Sequence, residues 1–199
     1  MYKNRIIKFK KIDDKVELSL LKELLILFKE VQKIHHILII GIGNDNYIAD
    51  AIGPKTLKNI KVNYFNNKIK VSSLEPGTLS ETGISTFRII KSLVKEIKPD
   101  LIILIDSFIT DDINLLNKSI ILNNHGITSN MGIKKLNDSI NSKTLHTNVI
   151  TIGIPTVLEL KLKNTTIPYI LSKRDVDLFV NDISNLISNV LNKIIYKIL

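Results

Sequence analysis

Short apolar runs alternate along the chain with longer stretches in which apolar residues return every three or four positions. Ile37, Leu38, Ile39 and Ile40, and later Leu101, Ile102, Ile103, Leu104 and Ile105, leave no polar side for water, so each reads as a strand buried on both faces. Residues 70–74, 119–122 and 149–154 give three more strands; Glu75, Pro76 and Gly77 end the first of these, and Gly153 and Pro155 close the last. Helical spacing appears over 17–34 through Leu18, Leu20, Leu21, Leu24, Leu25, Leu27, Phe28 and Val31. It returns over 84–97 through Phe87, Ile90, Leu93, Val94 and Ile97, where Pro99 stops it. A final stripe joins Val176, Phe179, Val180, Ile183, Ile187, Val190, Leu191, Ile194 and Ile198; Ser172 is expected to cap that helix, with Asp175 in the capping-box position.

Two segments lack such a pattern. Residues 1–12 alternate apolar and basic, which predicts an edge strand or, over 1–15, a loosely attached arm. Residues 123–147 are polar and weakly patterned, as expected of a surface excursion that covers a site. No repeat or linker divides the 199 residues, so the expectation is one α/β domain, a three-layer sandwich around a mainly parallel sheet.

Composition narrows the chemistry. With no cysteine, the chain has no disulfide, thiolate ligand or sulfur nucleophile. No run approaches the roughly eighteen apolar residues of a membrane span, and the start shows no signal peptide, so a cytoplasmic protein is expected. The formal charge of +9 is spread over scattered lysines without a basic block or interleaved aromatics, which argues against specific nucleic-acid recognition.

Carboxylates stand where strands end. After the first buried strand, Gly41, Gly43 and Asn44 allow a tight turn that delivers Asp50 near the start of a helix; Asp106 follows the second buried strand directly. In an open α/β sheet that edge is where ligands bind, so the two aspartates are expected to share one crevice. A dinucleotide fingerprint would need a third glycine where Asn46 stands, and Asp50 has the alternative reading of a solvated first-turn acid. His35 and His36 read as capping or surface residues, and Lys91, Lys95 and Lys98 as a solvated helix rim. Ser80, Ser85 and Ser107 lack the G-x-S-x-G elbow of a serine nucleophile, and His146 sits in an unpatterned segment.

Four motifs in order, GIGNDNYIADAIGP over 41–54, EPGTLSETGIST over 75–86, KPDLIILIDS over 98–107 and TIGIPTV over 151–157, resemble the germination proteases of spore-forming bacteria. The resemblance runs from about Leu20 to the final helix. It implies a phosphorylase/hydrolase-like α/β fold, shared more distantly with hydrogenase maturation proteases. It also implies an endopeptidase of the spore core that degrades small acid-soluble spore proteins with Asp50 and Asp106 as catalytic aspartates and no cofactor. Backbone amides around Gly41, Gly43, Asn44 and Gly77 are the candidates for polarising the substrate carbonyl. A homotetramer is implied, as is a zymogen with a removable propeptide, for which no segment is recognisable here.

Two departures stand near the site. Asp111 replaces an arginine usual in the family, and the basic glycine-rich segment has become HGITSNMGIKK over 125–135, keeping Gly126 and Gly132. Two alternatives follow: a catalytically degenerate paralogue that binds spore proteins, and a hydrogenase-maturation-type protease recognising nickel through Asp50, Asp106 and His125.

Overall fold

A computed structural model describes residues 4–63, 69–127, 139–161 and 168–197. Seven strands form the main sheet: β1 (Arg5–Lys8), β2 (His36–Gly41), β3 (Lys70–Leu74), β4 (Leu101–Thr110), β5 (Ser119–Asn123), β8 (Asn148–Leu160) and β9 (Tyr169–Ser172). Their order is β1-β5-β8-β4-β2-β3, with β9 added to β8. The pairs β3–β2, β2–β4 and β4–β8 are parallel. Antiparallel pairing adds β5 to β8, β1 to β5 and β9 to β8. A small second ladder pairs β6 (Gly126–Ile127) with β7 (Ile140–Asn141). The result is the expected α/β sandwich, a parallel centre with antiparallel strands along one side.

Period-two alternation of each central strand decides which layer its residues meet. Ile37, Ile39, Leu101, Ile103 and Ile105 face one core, shared with α1 (Asp14–Lys29), α2 (Ile52–Leu57) and α6 (Val176–Lys197). Leu38, Ile40, Ile102 and Leu104 face the other, shared with α4 (Thr86–Ile97) and α5 (Ser142–Leu145). Each of these nine strand residues has no solvent exposure, which is why the runs 37–40 and 101–105 carry no polar residue. Asp13 caps α1 by accepting from the backbone N–H groups of Lys15 and Val16, an arrangement worth about 1 kcal/mol.

The structure revises several expectations. Residues 5–8 form the edge strand β1 and are not a loose arm there. Helix α6 starts at Val176, and Ser172, expected to cap it, is the last residue of β9. Strands β4 and β8 run to Thr110 and Leu160, well past the apolar runs that announced them. His36 is buried, with Nε2 2.9 Å from Ser72 Oγ, and burial lowers its proton affinity. The excursion over 123–147 contains β6, β7 and α5; Gly132 and the middle of the altered loop lie outside the described residues.

Candidate active site at the carboxyl edge of the sheet

Strand order reverses at the β2–β4 boundary: from β2 the chain moves outward to β3, then returns to the other side of β2 as β4. Such a switch point opens a crevice at the carboxyl ends of parallel strands. Here Gly41, the last residue of β2, pairs with Ile105, and Ile42 N–H donates to Ile105 O at 2.8 Å. One residue further along β4, Asp106 has lost β2 as a neighbour and keeps only β8, opposite Gly153. Asp106 therefore stands inside a strand, where the sequence pattern had suggested the strand's end.

Asp50 reaches this edge on the single helical turn Ile48–Asp50. Two glycines bring the chain there. At Gly41 an added Cβ would lie 2.4 Å from Gly53 O, so strand end and helix start touch backbone to backbone. Gly43 has φ of +135°, and a Cβ there would stand 1.9 Å from Asp50 O, a geometry only glycine accepts. Asn44 N–H then donates to Asp50 O at 3.2 Å and to Asp50 Oδ2 at 3.1 Å. From the sheet, Thr156 Oγ1 donates to Ala49 O at 2.6 Å and ties the turn to β8.

Electrostatics couple the two acids. Burial pushes Asp50 up to about 6; the Asn44 N–H opposes this and the charge of Glu81 adds to it. Asp106 is held well above the usual carboxylate range, first by burial and then by the charge of Asp50, against the Ser107 N–H. Its residue surface is partly open, whereas the carboxyl itself is enclosed. Glu81 belongs to α3 (Leu79–Thr82), where Oε2 accepts from Thr78 N–H at 2.9 Å and from Thr78 Oγ1 at 2.8 Å. Sequence reading passed over Glu81, although the Thr78-x-x-Glu81 spacing is a capping-box signal.

The Asn44 N–H is spent on Asp50. Gly41 serves the contact with Gly53, and Gly77, with φ of +69°, turns the chain from β3 into α3 while its carbonyl accepts from Thr86 Oγ1 at 2.9 Å. Among the described residues no three His, Cys, Asp or Glu side chains gather closely enough to hold a metal ion. Asp111 is exposed in the bend after β4, and Lys91, Lys95 and Lys98 are exposed on and beyond α4.

The family model described as Germination protease matches residues 6–173, most of the chain. The chain belongs to the germination protease family. A germination protease of Caldanaerobacter subterraneus subsp. tengcongensis is 36% identical over 155 residues, covering 72% of this chain and 48% of the relative. One of Clostridium tetani is 36% identical over 147 residues, covering 68% and 46%. This chain thus spans about half the length of the germination proteases it matches. Among solved structures, a NiFe hydrogenase maturation protease HycI of Thermococcus kodakarensis matches with a TM-score of 0.47 and 17% identity, over 83% of this chain and 98% of that one. No helix among the described residues is long and apolar enough to cross a membrane.

Proposed function

We propose that this germination protease homologue is an endopeptidase of the spore core that hydrolyses small acid-soluble spore proteins, with Asp50 and Asp106 activating water between them. The observation that carries the reading is that Asp50, on the helical turn after β2, raises by its charge the proton affinity of Asp106 on the neighbouring strand β4. A charged carboxyl near a second one disfavours its ionisation, so Asp106 keeps its proton while Asp50 ionises.

Roles follow from their surroundings. Asp50, with a midpoint near 6 and a backbone N–H on Oδ2, is the one that ionises at neutral pH. As base, it takes a proton from a water molecule whose oxygen attacks the peptide carbonyl carbon. Asp106 retains its proton and donates a hydrogen bond to the carbonyl oxygen as negative charge develops there. When the tetrahedral adduct collapses, the carbon–nitrogen bond breaks, and the amine leaves with the proton that Asp50 had accepted. The atoms balance with water as the sole co-reactant, and assembly as a homotetramer is part of the same proposal.

The direct test offers the purified chain a small acid-soluble spore protein. Cleavage is expected, with a loss of at least about a hundredfold in kcat/KM for Asp50→Asn and for Asp106→Asn. Unimpaired cleavage by both variants would sink the aspartate mechanism. Stable binding without turnover by the unaltered chain would instead identify a degenerate paralogue, consistent with Asp111 in place of arginine.

A further inference from the structure

Asp106 and Phe108 are two apart on β4 and so point to the same face of the sheet. Their partners on β8 are Gly153 and Pro155. The Phe108 ring leans back from its own partner onto Gly153: a Cβ built at Gly153 would lie 3.1 Å from Phe108 Cε1 and 3.3 Å from Cδ1. The ring therefore covers the bare backbone of the residue directly opposite Asp106. A side chain at position 153 would press on the ring, which is itself half-buried.

We propose that Phe108, seated on Gly153, is a positioning residue that walls one side of the Asp106 carboxyl and keeps water from it. The inference rests on the reading of Asp50 and Asp106 as the acid pair and adds the device that separates their roles. Asp50 lies on a turn whose residues are all partly exposed. An aromatic ring beside a carboxyl removes solvent from the charged form while leaving the neutral acid able to donate, the property required of the member that holds the proton. Burial is in fact the largest influence on Asp106.

Among the described residues, few other groups act on this carboxyl. The helical turn contributes Asp50, itself influenced by Glu81, and β4 contributes the Ser107 N–H. Strand β8 has no titratable residue between Val149 and Leu158, β5 has none, and the only one on β2 is His36 at its far end. The charge of Asp50 and the dryness supplied by Phe108 are thus separable by substitution.

The test is a carbon-13 NMR titration of the aspartate carboxyls in the full chain, with the Asp106 signal identified by its loss in Asp106→Asn. Phe108→Ala is expected to lower the Asp106 midpoint by about one pH unit or more, while Phe108→Leu, which keeps an apolar wall, leaves it nearly unmoved. A folded Phe108→Ala with an unchanged Asp106 midpoint overturns the proposal. If Phe108→Ala does not fold, Phe108→Thr, which puts a small polar side chain in place of the ring, decides on the same criterion. No substrate enters the measurement, so a failure of the peptidase reading and a failure of this one are told apart.

Discussion

Asn44 gives its one backbone N–H to two oxygens of Asp50, the carbonyl at 3.2 Å and the carboxylate Oδ2 at 3.1 Å. That shared bond closes the turn after β2 and fixes the Asp50 carboxyl in the same stroke. Local chain geometry and site chemistry are therefore one structure here, and disturbing either disturbs both.

Activity is expected to follow a bell-shaped pH profile, since Asp50 must be ionised while Asp106 keeps its proton. The acid limb should fall near pH 6, where Asp50 titrates, and the alkaline limb above it. Glu81→Gln retains an oxygen to accept from Thr78 but removes the charge that raises Asp50, so the acid limb should move to lower pH. A pH–rate series on both proteins checks this; an acid limb that stays in place would mean that Glu81 has no influence on the base.

Gly43→Ala should cost both stability and turnover. Its φ of +135° is closed to side-chain-bearing residues, and the added methyl meets Asp50 O at 1.9 Å. A loss of about 2 kcal/mol or more is expected in urea unfolding, together with a fall in kcat as Asp50 is displaced. Gly83 provides the control, because it also has positive φ but nothing lies within 4 Å of its Cβ position. Gly83→Ala should show milder destabilisation and near-normal kcat.

The raised midpoint of Asp50 also makes stability depend on pH. The folded form holds this proton more tightly than the unfolded chain, so the stability it confers is complete below about pH 3.8 and declines until the pH passes about 6. Asp50→Asn keeps an oxygen for the Asn44 N–H and carries no charge. It should therefore be more stable than the unaltered chain at pH 7.5, by about 1–2 kcal/mol once the partial exposure of Asp50 is allowed for. The difference should vanish near pH 4. Urea unfolding at the two pH values measures it, and a variant equally stable to the parent at both would contradict the burial of this charge.

The sequence by itself determined the central strands, because Ile37 through Ile40 and Leu101 through Ile105 are apolar at every position and only a strand covered on both faces accommodates that. It determined the helical stripe of α6 for the corresponding reason, and it marked Asp50 and Asp106 by their places beside glycines and strand ends. It did not reveal β9, whose four residues are exposed at an edge and carry no burial pattern, nor the outer halves of β4 and β8, where half-buried polar residues break the apolar run. Ser172 was misread because Ser172-x-x-Asp175 satisfies a capping pattern that pairing with Val157 overrides. Only the tertiary structure decided that β2 and β4 lie side by side, that β2 stops one residue short of Asp106, and that Phe108 rests on Gly153. Each depends on register between segments about 45 to 65 residues apart, and local alternation fixes which face a side chain takes, not which strand lies beside it.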